Sequence, residues 1–403
     1  MEQMLPLMGI TVVDISTSYA GPFCSMLLGD MGADVIKVEK PGGDDARAWG
    51  PPFVNGESTW FLSVNRNKRS VCVDLTTSEG QHVLERLLSR ADVFIENLKP
   101  SSLEKFGLAY PQVHRRFPGV VYVAISGFGL IGPESSRTGY DLIAQAMSGI
   151  MSVTGGTDGE PQRVGTALSD IVTGMMAALS VNAALVAKAS TGMGCLIDIG
   201  LLDVDVALMT PRIVSYLASG EVPVANGGTD SVLAVYQKVS TATQPIVLAT
   251  GTTVLWERLK DALGRPSLLE SPEYDTNAGR QVHRAKIVSI IEDVLSHYPA
   301  EQWVETFRQY GVPAALINTL DAVVVEPQVL ARGMIQIVEH PRAGPIALVG
   351  TPVHVNGGGF AVRTPPPLVG QHTVEILREM GYETEEIERL QHRGIVSGET
   401  ERR

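Results

Sequence analysis

The run GITVVDISTSYAGPFCSMLLGDMGADVIKVEK, residues 9–40, decides the fold. Its opening ITVVDI is rich in β-branched residues and reads as a strand. Pro22 follows at a place where the first turn of a helix tolerates proline, and DVIKVEK returns as a second strand. Strand, helix and strand in about 30 residues make one βαβ unit. The order recurs in SVCVDL (70–75), TSEGQHVLERLLSRA (77–91) and DVFIEN (92–97). GVVYVAIS (119–126), after a helical segment near 103–117, and CLIDIGLLD (195–203) extend it. Strands alternating with helices predict an α/β chain whose parallel sheet is covered on both faces. DISTSYAGP, at residues 14–22, is no G-x-G-x-x-G turn, so the pattern does not point to a nicotinamide dehydrogenase.

The chain has 403 residues, enough for two domains. SGEVPVANGGT (219–229) is the expected linker, because Gly, Pro and small residues break periodic structure. The expected division is a large domain over 1–220, a smaller α+β domain over 221–330, and a tail over 331–403. A formal net charge of −12 disfavours nucleic acid, since most of the surface would repel phosphates. Three cysteines, Cys24, Cys72 and Cys195, lack ligand or disulfide spacing and read as buried thiols, with no metal site. MEQMLPLMGITVVD has no secretory pattern, so the cytoplasm is expected. Residues 171–189 have the length of a membrane span, but Thr173, Gly174, Ser180, Asn182 and Lys188 make it a buried helix, with no membrane partner.

RVGTALSDIVTGMMAALSVNAALVAKAS, residues 163–190, places one acid, Asp170, at the head of that apolar stretch. An acid there caps the helix start, where free N–H groups and the macrodipole favour it. The same position also suits an oriented nucleophile, with backbone N–H groups near to steady an oxyanion. NRNKRS (65–70) is either a solvated loop or, with Lys37, Lys40, Lys99 and Lys105, part of an anion site. TGYDLIAQAMSG (138–149) offers Tyr140 as an aromatic wall and Asp141 as a cap. TGGTDGEP (154–161) reads as a turn.

Several co-ordered motifs then give a resemblance. AGPFCSMLLGDMGADVIKVEKPGGDDARAWGPPF (20–53), FLSVNRNKRSVCVDL (61–75), ADVFIENLKP (91–100), SGFG (126–129), GYDLIAQAMSG (139–149) and VGTALSDIVTG (164–174) resemble the class III CoA transferases, the superfamily of formyl-CoA transferase, carnitine CoA transferase and α-methylacyl-CoA racemase. GVPAALINTL (311–320), EPQVLARGM (326–334) and PPPLVGQHT (365–373) extend it over nearly the whole chain. The resemblance implies a Rossmann-like large domain built from both chain ends, a small domain, and an interlocked homodimer. It implies Asp170 as the nucleophile, forming an aspartyl anhydride and then an aspartyl-CoA thioester. No permanently bound cofactor or metal is implied: coenzyme A enters as the acyl-CoA substrate. By motif position, CoA contacts fall on Tyr19, Ala20, Lys40, Val73, Asp74, Leu75, Thr76, Asn97, Leu98, Lys99, Lys105, Tyr140 and Asp141. WGPPF, ESTWFLSVNRNKRS and PPPLVGQHT are most similar to succinyl-CoA-dependent dicarboxylate transferases of the glutarate and hydroxymethylglutarate type, with Arg137 as the candidate partner of the distal carboxylate. The racemase alternative needs a base where Tyr140 stands, and a tyrosine of pKa near 10 is a poor base at neutral pH. A non-catalytic CoA-binding protein is the second alternative.

Overall fold

The computed structural model describes residues 5–398. Six strands, Thr11–Asp14, Asp34–Glu39, Lys68–Val73, Val93–Glu96, Val121–Ser126 and Leu196–Gly200, form the parallel part of one sheet. Alternation places Val13, Ile36, Val71 and Phe94 on one face and Val12, Val35, Val93 and Ile95 on the other, each set in its own hydrophobic cluster. Both faces are therefore covered, as βαβ crossovers require. The sheet is mixed rather than wholly parallel, because Val396–Ser397 adds a seventh, antiparallel strand beside Lys68–Val73. That edge pairing joins residues more than 300 positions apart and leaves no local pattern.

The chain divides into two units: the first takes residues up to Ile150, Val164–Ser219 and Pro327 onward, the second Met151–Arg163 and Gly220–Glu326. This differs from bounds at 1–220, 221–330 and 331–403 chiefly in assigning residues 151–163 to the second unit. The second unit holds an antiparallel sheet of Tyr236–Val239, Ile246–Ala249 and Ala314–Leu316. Against it lie the helices Thr253–Ala262, Arg284–Leu295 and Ala300–Tyr310, whose Trp256, Ile287, Ile291 and Phe307 are fully buried.

In the first unit the helices Ala20–Asp30 and Leu168–Thr191 pack closely at Gly174, where a Cβ would stand 2.7 Å from the Ala20 carbonyl oxygen. The long helix is buried on only one face, by Ser169, Thr173, Gly174, Ala177, Ala178 and Val181. Met175, Met176, Leu179 and Val186 are exposed, which corrects the expectation of a buried helix. It remains long and apolar enough to cross a membrane by length and composition. Cys195 is exposed, unlike Cys24 and Cys72.

Candidate active site

Asp170 is the third residue of the long helix, and the N-cap position belongs to Ala167, which has no side-chain cap to offer. The cap comes from another helix. Asp141, first residue of Asp141–Met147, accepts the Ser169 N–H at 2.9 Å and the Asp170 N–H at 3.5 Å. Gln145 fixes that capping carboxylate by donating to its other oxygen at 2.7 Å, and accepts the Val164 N–H at 2.9 Å. A helix start needs such acceptors, and with Asp141 supplying them the Asp170 carboxylate is left for other work. No hydrogen bond or ion pair reaches it among the described residues. The expected oxyanion support is not available from this helix end, because the N–H groups of Leu168 and Ile171 are bonded to Thr166 and Ala167 carbonyls and Asp141 takes the two between.

Asp170 is half-buried. Burial, then the neighbouring carboxylates of Asp141 and Asp205, push its pKa up to about 7. Tyr19 stands close enough for Asp170 to help burial raise its hydroxyl, while Ser63 and Arg66 oppose the shift. Its ring meets Trp60 at 4.8 Å and Phe23 at 6.0 Å between centroids, and Trp60 meets Trp49 at 6.2 Å. This aromatic wall carries two residues, Trp49 and Trp60, that residue patterning did not single out.

A cavity of about 730 Å³ runs from Asp170 past the carboxyl ends of the strands to Leu103 and Tyr122. It brings Ala20, Asn97, Leu98, Lys99, Arg137 and Tyr140 together with Asp170. Switch regions at the carboxyl ends of parallel strands are where α/β sheets bind ligands. Gly127 and Gly139 shape one wall: a Cβ on Gly127 would stand 2.5 Å from the Gly139 Cα, so the SGFG and TGYD loops cross backbone on backbone. Asn97 binds the loop before Tyr19, accepting the Thr17 N–H at 2.9 Å and donating to the Thr17 carbonyl at 2.8 Å. Arg137 lies over the Phe128 ring at 5.2 Å and is 3.2 Å from Glu134.

Other expected contact residues lie outside this lining. Lys40 is exposed and pairs at 2.6 Å with Asp45, itself part of the cavity wall. Val73 is fully buried in its strand. Asp74 accepts the N–H and hydroxyl of Thr76, and the Leu75 carbonyl accepts from Gln81, so this stretch is organised as a turn. Lys105 is exposed beside the Phe106 ring. Tyr19 and Asp141 are not among the residues lining the cavity: Tyr19 belongs to the aromatic wall and Asp141 to the cap of the long helix.

The cations of NRNKRS form neither a solvated loop nor an anion site. Arg66 forms a buried ion pair with Asp30 at 2.6 Å, Lys68 donates to Asn65 and the Pro22 carbonyl, and Arg69 pairs with Asp34, Glu375 and Glu379. Glu96 went unnoticed in the sequence. It lines the cavity, accepts the Leu98 N–H at 2.8 Å and lies 3.4 Å from the Tyr122 hydroxyl, and burial pushes its pKa up to about 7. A lone acid ending an apolar strand was the available signal. No group of three or more potential metal ligands occurs among the described residues.

Residues 7–373 match the model of the CoA-transferase family III. The chain is 39% identical over 397 residues to the succinyl-CoA:glutarate CoA-transferase of Mus musculus, covering 98% of this chain and 91% of that protein. It is 38% identical over 382 residues to the succinate–glutarate CoA-transferase of Agrobacterium fabrum, covering 93% and 96% respectively. A crystal structure of a CAIB/BAIF family protein from Brucella suis is 36% identical and superposes with a TM-score of 0.83, over 94% of this chain and all, 100%, of that one. With its nucleophile candidate and cavity inside the matched span, this chain belongs to the CoA-transferase family III and is a class III CoA-transferase.

Proposed function

We propose that this enzyme moves CoA from succinyl-CoA to a free dicarboxylate of the glutarate class, with Asp170 as the covalent nucleophile. The observation that carries the reading is a half-buried carboxylate at the cavity wall, relieved of helix capping by Asp141. The Asp170 carboxylate attacks the thioester carbonyl of the donor, the C–S bond breaks, and CoA thiolate leaves a succinyl-aspartyl anhydride. The thiolate then attacks the aspartyl carbonyl, expelling succinate and forming an aspartyl-CoA thioester. The acceptor carboxylate attacks that thioester and releases thiolate, which takes the new acyl group and frees Asp170. Bonds and charge balance without a redox partner or a net proton.

Lys99 at the cavity edge suits the CoA phosphates, with Lys40 and Lys105 as outlying cations. Ala20, Leu98 and Tyr140 offer the pantetheine arm apolar walls, and Arg137 is the candidate for the acceptor's distal carboxylate. The relatives named for succinyl-CoA and glutarate support this choice of donor and acceptor. A homodimer fits the exposed apolar stripe Met175, Leu179 and Val186, spaced along one side of the long helix.

The test incubates the protein in deuterated water with succinyl-CoA, 2-methylacyl-CoA and a panel of mono- and dicarboxylic acids, followed by mass spectrometry of the CoA esters. New dicarboxylyl-CoA esters that vanish in Asp170→Asn, with CoA binding retained, are expected. Deuterium in 2-methylacyl-CoA without a new ester, or full turnover in Asp170→Asn, refutes the reading.

A further inference from the structure

Asp205, on the helix Leu201–Leu208, is fully buried. Its Oδ2 accepts a 2.6 Å hydrogen bond from the Ser169 hydroxyl, and its Oδ1, also buried, has no partner. Ser169 is the residue before Asp170, its hydroxyl lies 3.3 Å from the Asp141 carbonyl, and its N–H is the one that the Asp141 carboxylate caps. Three carboxylates thus converge on the first turn of one helix, and no lysine, arginine or histidine forms an ion pair with any of them among the described residues. Buried acids are ordinarily paired with cations, because desolvation is otherwise uncompensated. Nothing in the packing requires an acid at position 205: an asparagine has the same shape and keeps an acceptor for Ser169.

Resting on the proposed role of Asp170, we propose that Asp205 is a positioning residue: tethered through Ser169, it keeps the nucleophile in an acidic surround that covalent attack relieves by discharging Asp170. An ionised Asp170 is repelled by its neighbours, whereas the acylated one is neutral and is not. The surround therefore raises the free enzyme relative to the acyl-enzyme and keeps the attacking oxygen basic. The groups facing Asp170 are Asp141 and Asp205 from their helices and Tyr19 from the N-cap of Ala20–Asp30, itself acted on by Arg66 from the segment before Lys68–Val73. The cavity adds Asp45, Glu96, Lys99 and Arg137. Asp205 itself is raised by burial and Asp141 and eased downward by the Ser169 hydroxyl.

The test measures succinyl-enzyme formation by rapid-quench intact-protein mass spectrometry, on the full chain with succinyl-CoA, from about pH 5 to about pH 9. Asp205→Asn is expected to move the acid limb of the acylation rate down by roughly half a pH unit to one unit and to lower its plateau severalfold. Ser169→Ala, which makes Asp205 harder to ionise, moves the limb the same way by less, and serves if Asp205→Asn does not fold in a thermal-unfolding check. An acid limb that stays in place in the folded variants overturns the inference, even if the plateau falls, since a packing role changes rate without changing titration. A first-step adduct that persists at another residue in Asp170→Asn would instead refute the underlying nucleophile assignment.

Discussion

Asp170 illustrates how one side chain's role depends on a second. Read alone, an acid at the head of a helix is a cap; with Asp141 taking the Ser169 N–H at 2.9 Å, Asp170 is released from that duty. Glu96 presents a related case. Buried and raised to about 7, it is neutral over a range where an exposed glutamate is charged. The folded protein therefore holds a proton that the unfolded chain loses at its ordinary carboxyl pKa of about 4.3. The stability it contributes is whole below that value and is lost as pH rises through about 7. Glu96→Gln is accordingly expected to flatten the fall in stability between about pH 5 and about pH 8, by on the order of 2 kcal/mol relative to the parent. Chemical denaturation at several pH values measures the difference, and parallel curves would show that Glu96 does not titrate in this way.

Among elements, the pairing of Ala20–Asp30 with Leu168–Thr191 positions the chemistry. Gly174 lies one turn beyond Asp170, and a Cβ there would meet the Ala20 carbonyl oxygen at 2.7 Å and the Phe23 ring at 3.0 Å. Gly174→Val is expected to destabilise the fold by about 1–3 kcal/mol, through overpacking, and to lower turnover by roughly tenfold or more as Asp170 shifts against Tyr19. Urea unfolding together with steady-state rates measures both effects; stability lost at unchanged turnover would uncouple the helix pair from the site. The strands and helices were legible in advance because periods of two and 3.6 are local. Val396–Ser397 was not, since this two-residue strand depends on a partner more than 300 positions away for its pairing.

At the scale of the whole molecule, buried charge ties the first unit together. Lys37 pairs with Asp44 at 2.9 Å and donates to the Ser16 carbonyl, Arg66 pairs with Asp30, and Lys68 faces Asp14 at 3.5 Å. Burial lowers Lys68 to about 7, whereas for Lys37 the cost of burial is outweighed by Asp44, Asp14 and Glu39. These pairs hold the loops that carry Ser18 and Asp45 to the cavity. The exposed stripe on the long helix adds a prediction: the parent protein elutes as a dimer in size-exclusion chromatography with light scattering, and Leu179→Arg shifts it toward the 43.2 kDa monomer with a lower unfolding temperature. A monomeric parent would remove the dimer from the proposal.

The sequence by itself determined the βαβ order, the covered sheet and the acid at the head of the long helix, because strand and helix periodicity and a lone carboxylate in an apolar run are written in adjacent residues. Tertiary structure alone decided which acid caps that helix, that Arg66 and Lys68 turn inward, and that Asp205 and Glu96 join the site. Those outcomes depend on residues from separate elements meeting in a low-dielectric interior, where partners and burial, rather than residue type, determine the charge a side chain carries.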